Sequence, residues 1–569
     1  MSFDVIVRRG MVMDGSGGPR FRADVGIADG RITEIGRIKE RAAEEIDADE
    51  LFVAPGFIDG HTHLDAQMHW DPLGTNSCWH GVTTALMGNC GFTLAPCRAE
   101  EADLVLRSLE QAEEISREAM LEGIDWQWES FPEYLDVLDR LPKGINYATH
   151  VGHSSLRTYV MGERAFEQAA TDDDLSAMTD QLDLALRAGA FGFSTSRSTS
   201  HSTADGHPVA SRLATWGEVR RLVDVMTSLG TGIFQLDHEK HEPGEGRVEY
   251  NARLRELVVE SGRPTFFMMT IAPAEPQLWR ERLAFVDAAA LDGGRIHPQV
   301  NVHEHFSTES FRSVLPFDHL PRWSEIRRLP FNEQRLRLLD SSIRAELVEE
   351  AAQLSARPDG PTVPANQRPL NYEEIVVFET ATAPYRSVAD IARGRRTSPV
   401  ETMIDLALES DFDQLFGRKL LNFDLDSLCE VLRHPRSVIG VSDTGAHVTR
   451  VVDSSYTTRF LADWVRTREV FDWEQGIRML TSIPAHRYGF TDRGYIREGL
   501  AADMVILDPA TVGPQLPTVS HSFPTGALSL DQKATGIAAT IVNGRVHIRD
   551  GEATGASAGR LLRGPLADR

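Results

Sequence analysis

Residues 53–63 read Val-Ala-Pro-Gly-Phe-Ile-Asp-Gly-His-Thr-His, a short apolar strand that ends in two histidines spaced i, i+2. Alternate residues of a strand face the same side, so His61 and His63 leave the strand end together, with Asp59 on the same face. Two imidazoles presented from one face can bind one metal ion. A bare His-x-His is also compatible with a polar turn. The apolar run and the Pro55-Gly56 punctuation before the pair argue instead for a strand end built to present ligands.

After this strand, apolar runs alternate with helical patterns, which predicts a parallel sheet. The further candidate strands are residues 82–87, 146–150, 190–195, 232–237, 264–270, 299–303 and 437–442, which makes eight. Several are continuous apolar runs, as expected where both faces are buried. Between them, residues 172–186 and 248–260 carry helical periodicity and acidic first turns. The fold class expected is α/β, a (β/α)8 TIM-like barrel over residues 56–489, with its active site at the C-terminal ends of the strands. Strands seven and eight are separated by about 130 residues, too many for one helix and two loops. Segments such as 342–354 look helical, so an inserted subdomain is expected at about residues 307–435, over the barrel mouth.

The ends of the chain differ from the middle. Residues 3–55 alternate short apolar runs with Gly-rich turns, and the runs at 503–507 and 536–546 match them, with Asn543-Gly544 as a hairpin turn. One small β-sandwich built from residues 1–55 plus 490–569 is expected. The Gly- and Ala-rich stretch 551–569 reads as a loose tail.

A chain of 569 residues has room for an elaborated barrel and a smaller domain, and 41% hydrophobic with 25% charged residues is ordinary for a globular enzyme. The formal net charge of −25 argues against nucleic acid or an anionic membrane as partner. Cys78, Cys90, Cys97 and Cys429 are too few and too scattered for a disulfide framework. The first residues lack the apolar core of a signal peptide, and no run approaches a membrane span, so the cytoplasm is the expected compartment. A homo-oligomer is left open.

Five motifs run in order along nearly the whole chain: Pro55-Gly-Phe-Ile-Asp-Gly-His-Thr-His63, Gly81-Val-Thr-Thr-Ala-Leu-Met-Gly-Asn-Cys-Gly91, Val151-Gly-His-Ser-Ser-Leu-Arg157, Gly440-Val-Ser-Asp-Thr-Gly445 and Gly499-Leu-Ala-Ala-Asp-Met-Val-Ile506. Together they resemble the amidohydrolase superfamily, and within it the N-acyl-D-amino-acid deacylase (D-aminoacylase) group. The resemblance implies a zinc-dependent hydrolase that uses metal-activated water to cleave the C–N amide bond of an N-acyl amino acid or a related small amide. It further implies that Cys90, after the second strand, binds the same ion as His61 and His63, where other amidohydrolases use a carbamylated lysine. The strand-four run Gly189-Ala-Phe-Gly-Phe-Ser-Thr195 has no lysine. The alternative for Cys90 is a small buried apolar residue. By the same resemblance Asp443, at the end of strand eight, is both metal ligand and catalytic residue, taking a proton from the attacking water. A turn or helix-cap aspartate is the alternative. His150 reads as a core histidine. His153 is a candidate for substrate or metal contact, and Arg157 suits either a substrate carboxylate or a salt bridge within the scaffold.

The chain departs from the group at strands five and six, where the deacylases carry a histidine each. Strand five, Gly232-Ile-Phe-Gln-Leu-Asp-His-Glu239, puts Asp237 at that position and His238 one residue late, and one residue reverses side-chain direction. Strand six, Pro264-Thr-Phe-Phe-Met-Met-Thr270, has no histidine, and the group's strand-six lysine, which helps hold the substrate carboxylate, has no clear counterpart. The expectation is one tightly bound zinc held by His61, His63, Cys90 and Asp443, a second metal position weakened or lost, and an open question over D preference. His303 and His305, in Val302-His-Glu-His-Phe306, form another i, i+2 pair that can line the pocket or replace missing ligands. Two rival readings are a cyclic-amide hydrolase of the hydantoinase or dihydroorotase kind, disfavoured by the absent strand-four lysine, and a metal-free binding or scaffold protein on the same fold.

Overall fold

Eight parallel strands form the middle of the chain in the computed structural model, which describes residues 3–241, 243–355 and 369–567. They are Phe57–Asp59, Val82–Met87, Asn146–Thr149 continued as Val151–Gly152, Gly192–Ser196, Ile233–Asp237, Thr265–Met269, Ile296–Val300 and Val438–Ile439. The second, third and fourth are buried at every residue, small polar side chains such as Thr83, Asn146 and Ser194 included. Helices Asp172–Ala188 and Glu245–Ser261 occupy the expected crossovers and run slightly beyond the predicted ends.

The pairing falls into two parallel ladders that meet at the third strand. His150 interrupts that strand, so Asn146–Thr149 pairs with strand two and Val151–Gly152 with strand four. Strands one and eight share no ladder among the described residues. The eighth is only two residues long, because Gly440 follows at φ +140, and a Cβ there would lie 3.1 Å from the Gly60 nitrogen. The seam is held by the loops instead. The His61 carbonyl accepts from the Ser442 and Asp443 amides at 3.3 and 3.2 Å, and the His63 amide donates to the Thr444 carbonyl at 2.8 Å.

Strand seven ends at Val300, earlier than the expected 303, so His303 and His305 lie beyond it. His305–Ser310 opens a four-stranded sheet shared with Leu415–Leu421. Phe311, Phe317, Trp323, Leu347, Met403 and Phe416 pack there in a core of their own. Residues 356–368 of the expected insertion lie outside the described residues.

Both ends of the chain build one nine-stranded sheet. Its centre is Phe3–Val12, which bulges between Val7 and Gly10. The first half pairs with Ala42–Asp47 and the last residues with Phe52–Pro55, which in turn pairs with Met504–Leu507. Val5, Val25, Ile46, Val53, Met504 and Ile541 share a core. The small β unit expected from the two termini is hydrogen-bonded as one sheet, with Phe3–Val12 irregular between Val7 and Gly10.

The expected loose tail is pinned down, residues 568–569 lying outside the described set. Leu562 and Gly564 donate to the Tyr147 and Gly189 carbonyls at 2.7 Å, and Arg563 reaches Asp136 and Asp139 at 2.8 and 3.0 Å. The small residues serve close approach: a Cβ on Gly559 would sit 2.0 Å from the Ile145 carbonyl oxygen. No helix among the described residues is long and apolar enough to cross a membrane.

A buried ion pair ties the terminal sheet to the third parallel strand through Asn146. Arg493 pairs with Asp503, which also accepts from Asn146 Nδ2 at 3.0 Å and from the Asn543 amide at 2.6 Å. Asp503→Ala removes the buried partner of Arg493, leaves it only the more exposed Asp492 at 2.9 Å, and strands the Asn146 and Asn543 donors; breaking buried pairs costs about 3–5 kcal/mol. The expected result is a clear fall in thermal midpoint; an unchanged midpoint would show that Asp492 alone satisfies Arg493.

Candidate metal centre

His61 is fixed by an amide whose orientation sets its tautomer. Gln299 Nε2 donates to the Gly60 carbonyl at 3.1 Å and to the Tyr488 hydroxyl at 3.0 Å, so Gln299 Oε1 faces His61 Nδ1, 3.1 Å away. The proton therefore sits on Nδ1, and the Nε2 lone pair points into the centre. Cys90 Sγ lies 3.4 Å from His61 Nε2, and Asp443 Oδ1 lies 3.4 Å from His61 Nε2 and 3.8 Å from His63 Nε2. The donor atoms of His61, His63 and Cys90 all fall within 4.8 Å of one another. Burial, with His61 beside it, holds the His63 pKa well below its usual value, so the ring is neutral, the form that ligates metal. Burial pushes the Cys90 thiol well up, so a bound ion must displace its proton. Two imidazoles and a sulfur gathered within 4.8 Å fit a zinc ion, with the Asp443 carboxylate beside the two histidines.

The loop that carries Cys90 is braced from strands three to five. Ser194 Oγ accepts from the Gly91 amide at 2.9 Å and donates to the Gly88 carbonyl at 2.5 Å, while the Cys90 amide donates to Gln235 Oε1 at 2.8 Å. The start of helix His153–Met161 completes the brace. The Ser154 amide donates to the Gly91 carbonyl at 2.9 Å, and Ser155 Oγ bonds the Thr93 carbonyl. This accounts for the Gly-His-Ser-Ser-Leu-Arg motif, and it corrects the expected substrate contacts. His153 lies between Thr195 Oγ1 at 2.8 Å and Glu218 Oε1 at 2.9 Å, and Arg157 grips both Glu218 oxygens at 2.5 and 2.7 Å. Both side chains are fully buried with their partners inside the scaffold, so neither faces a substrate. His150 is a core histidine, driven by burial to a pKa of about 3.

Strand alternation sorts the next pair. Asp237 faces the centre, where its charge acts on Cys90 and Glu113, whereas His238 points outward to the Tyr250 hydroxyl at 2.8 Å and the Phe267 ring. His303 is turned to the Glu304 carbonyl at 2.7 Å, while His305 Nδ1 meets Asp453 Oδ2 at 2.6 Å.

Three residues around the centre carried no sequence signal. Glu113 follows helix Ala102–Ala112 and places Oε2 3.5 Å from His63 Nε2; burial raises its pKa to about 8. His201, from the loop after strand four, bonds Ser196 Oγ at 2.6 Å and lies 3.9 Å from Asp237. His447, four residues after Asp443, bonds Glu114 at 3.2 Å. Burial alone would lower the His447 pKa, but Glu114 and Glu113 outweigh it and raise it to about 9.

A family model described as "Amidohydrolase family" matches residues 44–302 and 349–548. The chain belongs to the amidohydrolase family. This amidohydrolase is 28% identical to a D-aminoacylase of Alcaligenes xylosoxydans xylosoxydans, over 98% of this chain and 97% of that one. It is also 28% identical to an N-acyl-D-aspartate deacylase of the same organism, over 97% and 93%. A solved structure of the N-acyl-D-glutamate deacylase from Bordetella bronchiseptica, complexed with zinc and a phosphonate inhibitor, superposes with a TM-score of 0.65. It is 24% identical and covers 99% of this chain and 100% of its own, a likeness of fold.

Replacing Cys90 by Ala is expected to lower the metal content of this amidohydrolase, whereas Cys78→Ala and Cys97→Ala leave it intact. In the wild type, Cys90 should resist alkylation until a chelator removes the ion, because the sulfur lone pairs are engaged. Equal metal content in folded Cys90→Ala and wild type would return Cys90 to the role of a buried apolar residue.

Proposed function

We propose that this amidohydrolase removes the acyl group from an N-acyl amino acid, or a related small amide, at a single zinc ion held by His61, His63, Cys90 and Asp443. The observation that carries the reading is Cys90 Sγ at 3.4 Å from His61 Nε2, with His63 and Asp443 beside them and no lysine on strand four, Gly192–Ser196. The deacylase relatives, matched over nearly the full length, support the amide-cleaving chemistry. The eight strands are read as one (β/α)8 barrel whose seam lies between His61 and Asp443.

A divalent ion held by these four residues would polarise the amide carbonyl and would lower the pKa of water beside it toward neutrality. Asp443 Oδ1, within reach of both histidine nitrogens, accepts the proton from the attacking water and delivers it to the departing nitrogen. Gln299 holds His61 in the tautomer the centre needs, and the Ser194–Ser155 brace holds Cys90 in register with it. Asp59, whose oxygen accepts from the His61 amide at 3.2 Å, lies beneath the histidines and fixes the turn that presents them.

Asp443→Asn preserves shape and an oxygen donor but cannot take a proton. Turnover of an N-acetyl amino acid should fall at least about a hundredfold, with the fold and much of the metal retained. Near wild-type turnover would remove Asp443 from the chemistry. Metal analysis of protein purified without chelator should give close to one zinc per chain; two tightly held ions would show that Asp237 and its neighbours form a second site.

A further inference from the structure

Beyond the four residues assigned to the metal, the mouth of the centre is flanked by histidines that are each backed by an acid. His305, past strand seven, directs Nδ1 to Asp453 Oδ2 at 2.6 Å, and Asp453 also accepts from Asn301 Nδ2. His447, past strand eight, directs Nδ1 to Glu114 Oε2 at 3.2 Å. Their side chains remain 18% and 29% exposed, whereas those of the metal-set residues His61 and His63 are only 0% and 3% exposed. Each lies within the field of Asp443, and His305 also within that of His447.

An acid on Nδ1 fixes the tautomer and favours the imidazolium, leaving Nε2–H as a charged donor. Among the described residues, neither Nε2 reaches a hydrogen-bonding partner. For His447 the nearest acid is Glu113 at 4.0 Å, too far for a hydrogen bond. Burial works against both charges, and the acids outweigh it: both pKa values end above the usual one. His201 differs, since its Nδ1 is on Ser196, its Nε2 turns toward Asp237, and burial lowers its pKa. Two partly exposed histidines, each with Nδ1 held by an acid and both within the field of Asp443, can offer their Nε2–H groups to one anion such as a planar carboxylate.

We propose that His305 and His447 bind the carboxylate of the substrate and so orient its amide over Asp443. The proposal rests on the amide-hydrolase reading and names the part of the substrate that these two side chains meet.

The test compares N-acetyl-leucine, in both enantiomers, with N-acetyl-leucinamide, following acetate release by the zinc-loaded wild type and by His305→Gln, His447→Gln and Asp453→Asn. Glutamine keeps an N–H donor but loses the charge. Because a hydrogen bond to a charged group is worth about 1.5–3 kcal/mol, kcat/KM for the free carboxylate should fall tenfold or more in each variant, chiefly through KM. The carboxamide substrate should change less than about threefold, since it offers no charge to lose. Zinc content and thermal midpoint, measured alongside, should stay near wild type. Equal losses on both substrates, or no loss on either, overturn the proposal while leaving the amide-hydrolase reading in place. If the wild type hydrolyses neither compound, that reading fails, and calorimetric titration with the same two compounds decides the proposal. A preference for the carboxylate that disappears in the variants supports it, and its absence in the wild type overturns it.

Discussion

Three backbone hydrogen bonds across one seam organise this protein. The His61 carbonyl takes the Ser442 and Asp443 amides, and the His63 amide gives to the Thr444 carbonyl. Residues nearly 400 positions apart in the chain thereby become neighbours, with Asp443 held 3.4 and 3.8 Å from the two histidine Nε2 atoms. Without that seam the first strand would present two histidines to nothing. The short eighth strand, ended by Gly440, is what frees its loop to make these bonds in place of a regular ladder.

Around the seam, burial does the electrostatic work. Asp59, Glu113 and the Cys90 thiol all have pKa values pushed up because their charged forms lack solvent. Acids and a thiol gathered about neutral imidazoles make a place where a divalent cation is more favourable than water. Farther out the balance changes sign. His305 and His447, each set against an acid and partly open, have their pKa values raised above the usual one. On the function and substrate contact proposed above, the centre grades from cation-binding at its base to anion-binding at its mouth, the polarity an acylated amino acid would meet if its amide entered first.

The motif Gly-His-Ser-Ser-Leu-Arg shows how a strong sequence signal can be misassigned to chemistry. Its histidine and arginine look like substrate ligands, yet both are spent on Glu218, a residue more than sixty positions away that no local pattern pairs with them. The motif serves the metal centre indirectly, by holding the loop of Cys90. The tail misled in the opposite direction. Its Gly and Ala content reads as looseness, whereas the small side chains allow its backbone to lie against Ile145 and Gly189.

The sequence by itself determined the order of strands and crossovers, because alternation and apolar runs are local consequences of which faces are buried. It also marked His61, His63, Cys90 and Asp443, since each closes a strand with a short recognisable motif, and it marked the depletion of strands five and six. It carried no sign of Glu113, His201 or His447, which lie at a helix end and in loops without periodicity. Their place at the centre depends on contacts between segments distant in the chain. Only the tertiary structure decided that Asp237 faces inward and His238 outward, and that His153 and Arg157 belong to the scaffold. The same holds for His305, one member of an i, i+2 pair, which stays partly exposed, while His303 is buried with its Nε2 3.6 Å from the other oxygen of the shared Asp453. Those outcomes depend on which partner fills the space beside each side chain, and packing settles that after the chain has folded.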